Sequence, residues 1–493
     1  MVSMDYRKDY IDVCNVIGGE WSRPATEERL PVYNPSTGEE IGNVPLTPAE
    51  EVERAVDVAA EAFTQWRQVD AGRRCKYLFA IRNKMVAYRE ELAQIIARDQ
   101  AKHIADARGE VGRVIQIVEN ACGLPNMLIG ETFQISASTR GQVLRKPLGP
   151  IGGLSPFNFP ALVFGWFIPY AIGCGNTIVY KASEQSPLFM QRMMEIFDEV
   201  DLPKGVVNLV NGDYRVGEAL LAAEKIKGIC FVGSTAVGQH IAEKAAENKK
   251  RAMVLAGAKN SLMVLKDCRV EDFLAQLQNS AFGAAGQRCM AGSNVVIEAA
   301  CYDAMVEKIV KMAKAVPVGD ARDEAVYMGP VISRKSVDRI NGYIEGAVRE
   351  GAKLILDGRN PEMASGLEKG YFVKPTILAD VTPEMTIAQE EVFGPVLSLI
   401  KVADFEAGLA FMNSSRYGNG GAIFTQSGHY AEEFLNRIDV GMAGVNIGVP
   451  AAMPYLPFGG AKDSLLGSGL KAQGHDGIEF FTERAVATIR FPE

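Results

Sequence analysis

From residue 149 onward the chain alternates between two kinds of segment. The short β-rich runs "GPIGGLS", "NTIVYKAS", "GVVNLVNG" and "IKGICFVGS" are each followed by a helical stretch, at 160–172, 187–199, 214–222 and 235–248. Such alternation commits a chain to parallel strands joined by crossover helices, in a sheet covered on both faces. Residues 251–266 supply a further strand or two. A second alternating block follows, with helices at 270–285, 302–314, 335–350, 404–413 and 429–437. Its strands fall at 293–298, near 352–356 and 371–378, and at 396–401 and 420–425. Two α/β units are expected, since 493 residues exceed what one simple core serves.

Upstream, "PAEEVERAVDVAAEAFTQWRQ" has helical periodicity, with Thr47 as its predicted N-cap. "RRCKYLFAIRNKMVAYREELAQIIARDQ" continues the pattern as a second helix, and a third is expected at about 109–129. Two segments belong to neither block. "TFQISASTRGQVLRKPLG" (132–149) reads as a hairpin and "RAVATIRF" (484–491) as a strand. They are expected to pair and project an edge. An exposed edge needs cover, so they are either an oligomer contact or a plain surface hairpin.

Composition removes several classes of function. A net charge of −8 and a pI near 5.4 argue against nucleic acid or an anionic membrane as partner. No apolar run spans a bilayer, and the start, "MVSMDYRKDYIDV", lacks the core of a secretion signal. The eight cysteines contain no C-x-x-C pair, so reduced thiols in a cytoplasmic setting are expected, without a disulfide frame or a metal site. With four histidines and none spaced i, i+4, a histidine metal site or a Ser-His-Asp triad has little material.

Chemistry concentrates in a few short stretches. "AFGAAGQRCMAG" sets Cys289 beside Arg288 on a backbone cleared of bulk, where positive charge is expected to favour the thiolate. "SPFNFPAL" holds Asn158 between aromatics and prolines, a setting for an oxyanion donor or for a simple turn. "VYKASEQSP" ends a strand with Lys181 and Glu184, where a carboxylate can accept from ribose hydroxyls or pair with the lysine. "FVGSTAVGQHIAE" is strand, Gly233-Ser234 turn and helix, whose N-terminus can hold a phosphate, although it is not G-x-G-x-x-G. "EEVFGPV" and "PYLPFGGAKDS" add Glu391, Phe393 and Phe458, each unremarkable alone.

Taken in order, PFNFP, K-x-S-E, FVGST, GAK, GQRC, EEVFGPV and PFGG make the chain resemble the NAD(P)-dependent aldehyde dehydrogenase superfamily over nearly its whole length. The resemblance implies an α/β fold with a Rossmann-like coenzyme domain (1–130 and 149–257) and a second, catalytic α/β domain (258–463). It also implies a small β oligomerisation extension (131–148 and 464–493), and hence a homodimer or homotetramer. By the same resemblance Cys289 is the nucleophile, and Asn158 with the Cys289 N–H stabilises the oxyanion. Ser155, Phe157, Lys181, Ser183, Glu184, Gly233, Ser234, Glu391 and Phe393 are the expected NAD contacts.

One departure bears on the subclass. Hydrolytic members carry a glutamate four residues before the lysine of this stretch; "MVLAGAKN" has Leu255 there. Leucine cannot take a proton from water, so general-base help of roughly 10²- to 10⁴-fold is missing. The loss points to coenzyme A as acyl acceptor. "GAKN", "GQRCM" and "PFGGAKDSLLGS" with "GHDGIEFFT" resemble the CoA-acylating, methylmalonate-semialdehyde dehydrogenase branch. That likeness makes Arg288, and Arg113 in "GEVGRVIQIVENAC", the expected partners of a substrate carboxylate, with Phe458 also at the substrate. The expected activity is oxidation of malonate or methylmalonate semialdehyde to acetyl- or propionyl-CoA, the β-carboxylate leaving as CO₂. A CoA-independent dehydrogenase with another base, and a binding role on a retained fold, are the alternatives.

Overall fold

The computed structural model describes residues 5–24, 26–451 and 453–491. Its first large sheet has eight strands, in the order Leu465–Gly467, Arg251–Leu255, Gly228–Val232, Ile151–Leu154, Ile178–Lys181, Val207–Leu209, Asn15–Ile17 and Glu20–Ser22. The five from Arg251–Leu255 to Val207–Leu209 run parallel, and antiparallel strands close both edges. The crossover helix Pro160–Gly173 is apolar on every side and buried along almost its whole length, so it lies inside the core.

The second sheet orders Lys353–Leu356, Thr376–Ala379, Val396–Val402, Gly292–Glu298, Asn260–Val264, Gly420–Phe424 and Met442–Val445. Only Lys353–Leu356 is antiparallel. The run read as "a strand or two" at 251–266 is two strands in two different sheets, Arg251–Leu255 in the first and Asn260–Val264 in the second. The link between them, Ala256 to Lys259, starts at the carboxyl end of a parallel strand, where α/β sheets bind ligands.

A three-stranded sheet joins Glu131–Gln134, Thr139–Pro147 and Thr482–Arg490. The expected pairing of hairpin and terminal strand is present, antiparallel from Thr482↔Pro147 to Arg490↔Thr139. Phe133, Ile135, Leu144 and Val486 leave apolar side chains exposed on it.

Several boundaries differ from expectation. Thr47 does not cap the first helix. Pro48 holds the N-cap position of Ala49–Trp66, and the Thr47 hydroxyl instead accepts from the Asn15 amide at 3.0 Å. The long second helix is two, Ala71–Ala87 and Arg89–Asp99, broken at Tyr88, and the third runs over Ile104–Cys122. Leu465–Gly467 joins the first sheet by pairing with Met253–Leu255, outside the small β extension to which 464–493 was expected to belong. Among the described residues, no helix is long and apolar enough to cross a membrane, and no cluster of His, Cys, Asp and Glu has the makings of a metal site.

Candidate active site

A cavity of about 790 Å³ brings together Ser155, Phe157, Asn158, Ser183, Glu184, Gly233, Ser234, Cys289, Glu391 and Phe393. These residues come from five separate stretches, and all were singled out from the sequence. Lys181 stands just behind the wall and binds Glu184 at 2.5 Å, leaving the second carboxylate oxygen for another donor. Tyr33, Lys335 and Arg339 also line the cavity and went unpredicted. They lie on segments with no local chemical signature, brought in by tertiary packing.

The Cys289 loop is held under strain. After the helix Val270–Phe282 the chain turns through Ala284 (φ 49°), Ala285 (φ 53°) and Gly286 (φ 69°), all left-handed. Alanine is disfavoured there by roughly 1–2 kcal/mol per residue. Gly286 is required by contact as well: a Cβ would stand 2.3 Å from the Gly394 carbonyl oxygen of the "EEVFGPV" loop. Two carboxamides fix the Cys289 carbonyl, which accepts from Asn260 Nδ2 at 2.8 Å and from Asn419 Nδ2 at 2.9 Å. Neither asparagine was foreseen; only "GAKN" with Asn260 stood near a quoted motif. The Asn158 amide reaches the same loop, with Nδ2 donating to Gln287 O at 3.0 Å. Its other hydrogen has no protein acceptor among the described residues, so an oxyanion could take it.

The electrostatics differ from expectation at the thiol. Burial, then the Glu391 charge, push Cys289 up to about 12; Arg288 and Lys102 work in the lowering direction and do not prevail. Cys289 packs against the apolar cluster that includes Leu255, and Leu255 is itself buried. The Arg288 guanidinium is committed elsewhere, paired with Asp106 at 2.9 Å and donating to Asn279 O and Oδ1 at 3.1 Å. It does not line the cavity. Arg113 has no acidic partner among the described residues, and its Nη1 touches Gln116 Oε1 at 3.2 Å and Met453 Sδ at 3.3 Å. Phe458 is buried against Trp166, the two rings tilted by 30° with centroids 4.5 Å apart, and does not line the cavity either.

On the far side of the thiol's surroundings, Glu391 accepts from Ala258 N at 3.1 Å and burial lifts its carboxyl to about 7. Burial lowers Lys259 to about 7 against the pull of Glu391 and Glu390, and its buried Nζ has no hydrogen-bond partner. Arg339 donates to Val392 O at 2.7 Å and holds the Glu391 segment in place.

The residues fit a dinucleotide. Ser234 sits at the N-cap of Thr235–Glu247 with its hydroxyl making no cap bond, so first-turn N–H groups face the cavity free for a phosphate. Glu184 and Glu391 offer carboxylate oxygens suited to ribose hydroxyls, and Phe157 and Phe393 meet edge to face with centroids 5.9 Å apart.

Residues 21–486 match the aldehyde dehydrogenase family. The malonate-semialdehyde dehydrogenase 2 of Oceanobacillus iheyensis is 44% identical over 481 residues, covering 97% of this chain and 98% of that protein. The crystal structure of a methylmalonate-semialdehyde dehydrogenase from Oceanimonas doudoroffii superposes with a TM-score of 0.95 at 37% identity, covering 98% and 99% of the two chains. A Sinorhizobium meliloti protein provisionally described as a methylmalonate-semialdehyde dehydrogenase, complexed with NAD, gives 0.96 at 34% identity, covering 98% of each chain. With the thiol, the amide and the two carboxylates gathered on one cavity, the chain belongs to the aldehyde dehydrogenase family.

Proposed function

We propose that this protein oxidises a small carboxylated semialdehyde, malonate or methylmalonate semialdehyde, with NAD, and passes the acyl group to coenzyme A. The observation that carries this reading is Leu255, a buried apolar side chain at the position where hydrolytic members carry a glutamate, so position 255 offers no base to water. NAD, when bound, supplies the hydride acceptor. Ser155, Phe157, Lys181, Ser183, Glu184, Gly233, Ser234, Glu391 and Phe393 hold it.

Cys289 gives up its proton to water in the cavity, and its sulfur adds to the aldehyde carbon. The free hydrogen of the Asn158 amide and the Cys289 backbone N–H receive the oxyanion, a contact worth roughly 3 to 4 kcal/mol per donor in comparable sites. Loss of hydride from the carbon leaves a thioester on Cys289. The thiol of coenzyme A then forms the new C–S bond as the Cys289 bond breaks. Arg113, which has no acidic partner among the described residues, takes the substrate carboxylate, and Arg288 acts through Asp106 on the loop.

We assign residues 1–130 and 149–257, with the strand Leu465–Gly467, to the coenzyme domain and 258–463 to the catalytic domain. The three-stranded sheet, with Val486 and Phe133 exposed on one face and Leu144 on the other, is the contact of a homo-oligomer. NADH formation with each semialdehyde, in the presence and absence of coenzyme A, tests the reaction. Turnover is expected to require coenzyme A, and full steady-state turnover without it would favour hydrolysis instead.

A further inference from the structure

The helix Ile104–Cys122 turns three charged residues, 106, 110 and 113, onto one face. Two of them reach into the site from behind. Asp106 Oδ2 accepts from Ala284 N at 2.9 Å, and its Oδ1 pairs with Arg288 at 2.9 Å, so it grips the strained turn before Cys289 at both ends. Glu110 Oε1 accepts from Ala161 N at 2.9 Å and Leu162 N at 3.0 Å, in the first turn of the helix that follows Asn158. Its other oxygen binds Lys102, and both side chains are 1% exposed. Lys102 Nζ donates to the Asn158 carbonyl oxygen at 2.7 Å and sits 3.8 Å from the centre of the Phe159 ring.

A fully buried ion pair is a poor way to gain stability, because desolvation offsets the attraction. Its persistence calls for another reason. Every remaining contact of this pair ends on residues 158 to 162, the segment that aims the Asn158 amide. Asp106, one turn away, ends on the Cys289 loop. The same helix therefore sets both halves of the oxyanion site.

We propose that Lys102 and Glu110 are positioning residues, whose buried ion pair holds the Asn158 amide in register with the Cys289 backbone N–H. The inference rests on the reading of Asn158 as oxyanion donor. It adds the device that gives the donor its aim, since misplacement by about 1 Å can cost on the order of 100-fold in rate.

The test is a double-mutant cycle on the full-length enzyme. Lys102→Met/Glu110→Gln removes both charges together and leaves no lone buried charge; Glu110→Gln alone keeps an acceptor for the two helix N–H groups. Each is made with and without Asn158→Ala, and single-turnover NADH formation, NAD affinity and the rate of Cys289 alkylation are measured. The pair variant is expected to slow hydride transfer about 10- to 100-fold, with NAD affinity and alkylation within about twofold of wild type. On the Asn158→Ala background the further loss is expected to be under about twofold, because the pair acts through that amide. A loss that multiplies in full with Asn158→Ala, or unchanged hydride transfer in the pair variant, overturns the positioning role alone. An Asn158→Ala enzyme as fast as wild type overturns the oxyanion reading and the pair's role with it.

Discussion

The surroundings of Cys289 and those of Glu391 handle charge in opposite ways. Cys289 is half-buried on the cavity wall and packs against a large apolar cluster, and burial raises its thiol. Glu391 lies on the cavity wall near the buried Lys259, with the exposed Arg339 lining the same cavity. The difference shows where protons can move. Burial raises the thiol, whereas it brings the Glu391 carboxyl and the Lys259 amine both to about 7.

Leu255→Glu breaks that difference most directly, by putting a carboxylate at a buried apolar position. Steady-state NADH formation without coenzyme A is expected to rise by about 100-fold or more, because water at the thioester gains a general base. The thermal midpoint is expected to fall, since a buried carboxylate without a partner costs several kcal/mol. Coenzyme-A-free turnover that stays at the wild-type level would show that something other than a base at 255 limits hydrolysis.

Arg113→Ala sharpens the comparison by asking where the positive charge for substrate lies. Arg288 is tied to Asp106, whereas Arg113 has no acidic partner among the described residues. Loss of a charge-assisted contact of about 1.5–3 kcal/mol corresponds to roughly 10- to 100-fold in kcat/KM. That loss is expected for the semialdehydes and not for propanal. Equal losses on both substrates would remove Arg113 from the carboxylate.

The contrast was only half legible in the sequence. The alternation of strands and helices stood out because parallel strands buried on both faces are apolar along their length, as in Ile151–Leu154 and Asn260–Val264. The apolar character of position 255 was legible too, because the resemblance puts a glutamate there in hydrolytic members. The fate of Arg288 was not. Adjacency to Cys289 suggested thiolate support, but its partner Asp106 lies on another element, and only the fold reveals the pairing. Thr47 failed for the same reason: its hydroxyl is engaged by Asn15, on a strand that joins the sheet from the chain's start. The break at Tyr88 was hidden because apolar periodicity continues across it.

The smallest expected effect isolates the one charge that reaches across from one set of surroundings to the other. Burial is the first cause of the raised Cys289 thiol and the Glu391 carboxylate the second. Replacing Glu391 with Gln removes a negative charge, which lowers the thiol pKa and raises the thiolate fraction at any pH below it. Alkylation by iodoacetamide in the absence of NAD is therefore expected to quicken by about three- to tenfold at pH 8, no more, because burial still dominates. The wild-type rate is expected to climb through pH 10 without a plateau, as a thiol at about 12 requires. Glu391 itself is ionised only above about 7. As the pH drops through that value the wild-type carboxyl takes up a proton, and the two enzymes should converge. A gap of constant size from pH 6 to 9 would mean that some other group, and not the Glu391 charge, restrains the sulfur.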